Sequence, residues 1–158
     1  MSPAVVDSPQ SWTRLALALA LGTIGGVGMW SVVVALPAVQ AEFGVARGAA
    51  SLPYTLTMLG FGVAGVVLGR WADRFGIMRP MMIASAALGV GYLASGHAST
   101  LTQFALAQGL LIGVGSSVCF GPLMADVSMW FARRRGIAVA IVASGNYLAG
   151  TIWPPIVQ

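Results

Sequence analysis

The sequence predicts an all-α membrane protein, a polytopic helical bundle of five transmembrane helices, and three observations carry that prediction. Hydrophobic residues make up 58% of the 158; with the 21 glycines added and the three tyrosines left out, the share is about 69%, against roughly 45–50% in soluble domains. Charged residues reach only 8%, too few to cover a water-facing surface. The charge-free stretches have lengths suited to a bilayer, whose core of about 30 Å needs about 20 apolar residues in a helix. No stretch alternates with period two over about ten residues, so a transmembrane barrel is unsupported.

The charge-free runs cover residues 15–39, 49–69, 80–96, 101–125 and 136–157, and residues 1–14 form an N-terminal arm. The third run, of 17 residues, is the shortest; it stands upright or recruits Arg79 and His97 as snorkelling ends. A cleaved signal peptide competes for the first run, because Arg14 precedes a stretch rich in leucine and alanine. That run of 25 residues exceeds an apolar signal region of about 7–15, and Asp7 cancels Arg14. Helix-end signals agree with the spans. Thr100-Leu101-Thr102-Gln103 reads as a capping box opening the fourth, and Pro53 sits in the first turn of the second, where a missing N–H costs nothing.

All eight basic residues are arginine, which excludes a lysine-dependent phosphate loop. Excess arginine keeps short loops cytoplasmic. With the N-terminus inside, Arg14, Arg70, Arg74, Arg79, Arg133, Arg134 and Arg135 are cytoplasmic, and Arg47 alone is outside beside Glu42. The net charge of +4 therefore reports topology and attraction to acidic membrane lipid, with no nucleic acid as partner. Trp12, Trp71 and Trp130 fall at inner boundaries, and Tyr54 and Trp153 near outer ones, as aromatic belts do. The expected location is the plasma (inner) membrane of a bacterium.

Nothing in the chain assembles catalysis or a cofactor site. Cys119 is the only cysteine, so there is no intramolecular disulfide and no cysteine-based zinc cluster. His97 is alone in an outside turn. Gly60-Phe61-Gly62-Val63-Ala64-Gly65 and Gly89-Val90-Gly91-Tyr92-Leu93-Ala94 fit dinucleotide fingerprints, but both lie inside apolar helical runs with no preceding strand. The expectation is no enzyme, no metal and no cofactor.

Glycine is instead concentrated inside the spans, where helix propensity alone would avoid it. Small residues let transmembrane backbones approach and pack. Gly22/Gly26, Gly65/Gly69, Gly109/Gly113 with Ser117 and Gly121, Ala140/Ser144 and Gly145/Ala149 have that spacing, so the helices form a close-packed bundle.

The connection from Gly69 to Pro80 places Asp73 and Arg74 in a tight inner loop bounded by glycines. It resembles motif A of the major facilitator superfamily, G-x-L-x-D-R-x-G-R/K-R/K. Gly69, Asp73, Arg74 and Gly76 match in spacing, Trp71 replaces leucine, Ile77 and Met78 replace the basic pair, and Arg79 supplies a displaced charge. Phe43-Gly44-Val45-Ala46-Arg47 is similar to the outer connection F-G-x-S/T-R of the superfamily. Trp130 to Ala138, followed by Gly145 and Gly150, resembles a region of the monocarboxylate and oxalate–formate exchange branch. Ala105-Leu106-Ala107-Gln108-Gly109 has the layout of the drug-antiporter R-x-x-Q-G motif without its arginine.

This resemblance implies the N-terminal six-helix half of a secondary transporter, moving a small organic solute such as a monocarboxylate or dicarboxylate anion by alternating access. It implies that Asp73 latches the inner face through a helix N-terminus and arginine of the other half-bundle; the alternative is a local pair with Arg74 or Arg79. It makes the first and fourth spans cavity-lining, which nominates Trp30, Ser31, Ser116, Ser117 and Cys119, joined by Asn146 and Tyr147 from the fifth. Asp126 reads as an interfacial group at a helix end. Since five spans are fewer than the family's twelve, the chain reads as a fragment whose partner is the missing C-terminal half-bundle. A non-transporting membrane subunit or scaffold is the alternative function.

Overall fold

A computed structural model describes residues 6–157. Among them the chain forms five helical rods, several of them segmented. The first rod comprises α1 (Pro9–Gly25), α2 (Val27–Val34) and α3 (Leu36–Phe43). The second is α4 (Arg47–Ala50) and α5 (Leu52–Phe75), and the third is α6 (Met78–Gly96). The fourth joins α7 (Leu101–Ala107), a π-helical turn (Gln108–Gly113), α8 (Val114–Ser117) and α9 (Gly121–Ser128); the fifth is α10 (Arg135–Val157).

Four rods contain helices long and apolar enough to cross a membrane: Pro9–Val34, Arg47–Phe75, Leu101–Ser128 and Arg135–Val157. This makes the protein an integral membrane helical bundle. The third rod, expected as a fifth crossing, is not among those four. Its 19 residues include Arg79, Pro80, two serines and three glycines, which dilute its apolar character.

The ends follow local chemistry. Thr100 Oγ1 accepts from the Gln103 N–H at 3.3 Å while Gln103 Oε1 accepts from the Ser99 N–H at 3.0 Å, so the predicted cap forms with its return bond one residue earlier than Thr100. Pro53 occupies the first turn of α5 as expected. Helix begins at Pro9, another proline at a position needing no N–H, so residues 9–14 of the expected arm are helical, while residues 1–5 of it lie outside the described residues.

The connection from Gly69 to Pro80 is largely helical, which corrects the expected loop. Helix α5 runs to Phe75, placing Asp73 and Arg74 on its last turn, and the reversal is confined to Gly76 and Ile77. Gly76 has φ +80° and ψ 160°, a conformation that favours glycine.

Packing is set by small residues at rod crossings. A Cβ on Gly60 would overlap the Gly109 carbonyl oxygen, and one on Gly113 would lie 2.6 Å from the Thr57 carbonyl oxygen. The second and fourth rods therefore touch backbone to backbone. Gly26 faces Ala149, and Gly145 faces Leu19, so two of the predicted small-residue pairs, Gly22/Gly26 and Gly145/Ala149, meet each other between the first and fifth rods. Both dinucleotide look-alikes are packing features in part: Gly60 meets Gly109, and Gly91 meets Leu111 and Ile112. The prediction overreached at Gly121, which has nothing within 4 Å, and at Ala140, which is exposed.

Candidate functional site

Two rods lose helical regularity at the same level. In the first rod, α1 gives way to α2 at Gly26, where the Met29 N–H turns back to the Gly26 carbonyl at 3.2 Å. In the fourth, helix stops after Ser117 and restarts at Gly121, with Pro122 in the new first turn. Cys119 and Phe120 there donate to Ser116 and Ser117 at 3.2 and 3.4 Å, bonds spanning three residues. The two breaks oppose one another, since a Cβ on Gly25 would overlap Cys119 Sγ. Irregular backbone at membrane depth is tolerated where it is buried in protein or lines a cavity.

At this crossing lies a small opening of about 10 Å³, lined by Gly22, Gly26, Met29, Phe61, Ser116, Cys119, Phe120 and Asn146. Four rods contribute: first, second, fourth and fifth. Ser116 is 2% exposed and its Oγ has no hydrogen-bond partner among the described residues. A buried hydroxyl left so costs about 1–3 kcal/mol, which a polar ligand or water at the opening would relieve.

The other nominated residues divide. The Trp30 Nε1–H donates to the Asn146 carbonyl at 3.0 Å, and its ring lies against Gly150, joining the first rod to the fifth. Ser31 Oγ and Tyr92 Oη are 2.8 Å apart, joining the first rod to the third. Ser117 donates to its own helix at Val114, 2.7 Å away. Tyr147 is 74% exposed and does not line the opening. The structure thus gathers Ser116, Cys119 and Asn146 at one point, sets Trp30 and Ser31 as inter-rod ties, and leaves Tyr147 outside.

Residue-type reasoning missed several participants. Met29, Phe61 and Phe120 line the opening as apolar walls with no marker in sequence. Tyr92 was assigned only to a decoy glycine motif, yet it bonds Ser31. Gln108 is 4% exposed with Oε1 unpartnered among the described residues, and it opens the π-helical turn. Such turns recur at functional sites in helices.

At the opposite end of α5, Asp73 is exposed and takes part in no ion pair among the described residues. The guanidinium groups of Arg74 and Arg79 lie 5.5 and 5.6 Å from the Phe75 ring centroid, so both are drawn to the aromatic face and not to Asp73. A carboxylate in the last turn opposes the helix dipole. Asp73 therefore adds nothing to its own helix and presents a free charge at this surface. Gly69, one turn earlier on α5, would bring a Cβ only to van der Waals distance of Pro122, at 3.9 Å.

Beside it, the start of the first rod is bound to the end of the fourth. Arg14 donates from Nε and Nη2 to Asp126 Oδ2 and Oδ1 at 3.0 and 3.1 Å, and its Cζ lies 4.4 Å from the Trp130 ring centroid. Asp126 thus has a specific partner beyond its expected interfacial position. Asp7 also holds this end: its Oδ2 accepts from the Ala132 and Arg133 N–H groups at 3.3 and 3.1 Å, and its N–H donates to the Trp130 carbonyl at 3.1 Å.

The model of the family described as Major Facilitator Superfamily matches residues 18–158. The MFS-type transporter pynF of Aspergillus niger is 33% identical over 96 residues, covering 61% of this chain and 22% of that protein. An uncharacterized MFS-type transporter of Escherichia coli, YhjX, is 26% identical over 151 residues, covering 92% of this chain and 37% of its own length. Monocarboxylate transporter 12 of Mus musculus is 32% identical over 103 residues, covering 65% of this chain and 20% of that protein. The chain spans well under half the length of these relatives. A match over residues 18–158, nearly all of this chain, on a bundle of helices long and apolar enough to cross a membrane, places this chain in the major facilitator superfamily.

Proposed function

We propose that the chain is part of a secondary active transporter, the N-terminal bundle around which a small organic solute passes by alternating access. The observation that carries this reading is the opening at Ser116 and Asn146, where two interrupted rods oppose each other and a buried hydroxyl lacks a partner. Discontinuous transmembrane helices form solute sites at the interface between repeats. At about 10 Å³ the opening holds one water at most, so a solute would reach the hydroxyl and amide groups of Ser116 and Asn146 only as the rods part during alternating access. An organic anion of the monocarboxylate class is the proposed solute; the name of the mouse relative supports it. Asp73, free at the surface, is proposed as the latch to the other half-bundle, with Gly69, Arg74, Gly76 and Arg79 shaping its turn.

The arginine-rich end is proposed to be cytoplasmic, with Met78–Gly96 as a further crossing that is held by its contacts with the fourth rod. The proposed membrane is bacterial, supported by the coverage of the Escherichia coli relative.

The test is solute flux into proteoliposomes by the full-length protein. Saturable uptake of labelled lactate, oxalate or formate above empty vesicles is expected, with none from the 158-residue chain alone, because alternating access needs a second bundle. Equal saturable flux by the isolated chain would overturn the reading of a half-bundle, and uptake of none of the three by the full-length protein would overturn the anion assignment.

A further inference from the structure

We propose that Trp12, Arg133 and Arg134 form a binding site for the phosphate of an anionic phospholipid headgroup. The seven arginines at this end are not equivalent. Arg14 is neutralised by Asp126. Arg74 and Arg79 flank Phe75, the Arg135 Nε–H is turned back to the Phe131 carbonyl at 3.3 Å, and Arg70, exposed and without an ion pair among the described residues, does not line the opening that Arg133 and Arg134 share. Arg133 and Arg134 are exposed, have no acidic ion-pair partner among the described residues, and line one opening of about 480 Å³ together with Trp12 and Asp7.

The opening is built, not incidental. Asp7, at φ +58°, ties the chain ahead of α1 to the turn ahead of α10 through its two backbone acceptor contacts, which fixes the position of Arg133. Trp12 packs edge-on against the buried Phe131, with centroids 5.2 Å apart, and Arg134 lies 5.9 Å from the Trp12 ring centroid. The Asp7 carboxylate faces the same opening, but two arginines outweigh it and the positive end of α10 begins at Arg135. Guanidinium groups bind phosphate oxygens in bidentate pairs. A lipid fits better than a soluble phosphate because the fifth rod beside the opening presents apolar surface: Ile137, three residues past Arg134, is 58% exposed. A headgroup held at Arg133 and Arg134 would leave its acyl chains along that surface, with Trp12 at the boundary.

The experiment measures phosphatidylglycerol retained by the full-length protein after extraction from nanodiscs of phosphatidylcholine with about one part in five phosphatidylglycerol. Arg133→Gln/Arg134→Gln is compared with Arg70→Gln/Arg74→Gln, which removes the same charge from the same end. Retention should fall about fivefold or more in the first pair and less than about twofold in the second. Equal losses would overturn the site and leave only diffuse surface attraction. Should loss of these charges prevent insertion, Arg133→Lys/Arg134→Lys carries the test: it keeps the charge and removes the fork, so retention should still fall about twofold, and unchanged retention would overturn the proposal. Soluble glycerol phosphate should not displace the retained lipid; displacement at millimolar concentration would reassign the site to free phosphate and overturn the lipid claim.

Discussion

Arg14 and Asp126, 112 positions apart, face each other as a two-bond pair, and the Trp130 ring covers the same guanidinium. The contact closes the arginine-rich end of the bundle by tying the first rod to the fourth. Asp126 is 14% exposed and Arg14 39%, so water screens one partner more than the other.

Removing the pair should cost stability more than activity. Asp126→Asn is expected to lower the stability of the detergent-solubilised protein by about 1 kcal/mol, measured by tryptophan-fluorescence melting. Arg14→Asp/Asp126→Arg should recover part of that loss. Recovery would be incomplete because Arg14 also stacks on Trp130. No recovery at all would mean that the stacking, and not the ion pair, holds this end.

The tight crossing of the second and fourth rods makes a sharper stability prediction. Gly109→Ala would drive a Cβ to 2.8 Å from Leu56 Cβ and 3.0 Å from its carbonyl oxygen, whereas Gly62→Ala meets nothing within 4 Å. The first should destabilise by about 1–3 kcal/mol, as overpacking does, and the second should be neutral or slightly stabilising. Denaturant melts of both variants decide it, and equal effects would contradict the packing described.

Much of this was legible in sequence because lipid enforces simple rules. Charge-free runs and small-residue spacing follow directly from the apolar solvent, so the rods and the close packing at Gly22/Gly26 and Gly145/Ala149 could be read in advance, but not which of these pairs meet. The breaks could not. Gly26 and Val118–Phe120 interrupt helices within uninterrupted apolar runs, and apolarity carries no signal for where a backbone bends. The sequence puts a glycine at each end of the Asp73 segment, but helix continues through Gly69, and only Gly76, with its positive φ, ends it. Asp7 was read as cancelling Arg14, while the fold uses it to cap backbone N–H groups 125 and 126 positions away.

Orientation is tested by labelling single cysteines in a background lacking Cys119. Positions Glu42 and Ala98 should react from outside, and Phe75 and Ala132 from inside. Phe75 is 51% exposed, so a failure to label would not come from burial within this bundle. Outside labelling at Phe75 would invert the proposed topology and remove the latch role of Asp73.

Asp73→Asn in the full-length protein removes charge while keeping size. With the latch weakened, inner-side labelling should quicken and transport rate should change, while KM moves less than about twofold, since the residue lies far from the opening at Ser116. Unchanged labelling and unchanged rate would reduce the motif to a helix end and turn.

The most direct measurement is the KM for lactate counterflow by the full-length protein carrying Ser116→Ala or Asn146→Ala, at matched expression and reconstitution. If the opening between the interrupted rods is the solute site, each variant should raise KM about tenfold, the loss of one polar contact worth about 1.4 kcal/mol, while Tyr147→Ala, on the exposed face, leaves it unchanged. Unchanged KM in both site variants, with Tyr147→Ala the one that alters it, would contradict the account and move the site to the outer face of the fifth rod.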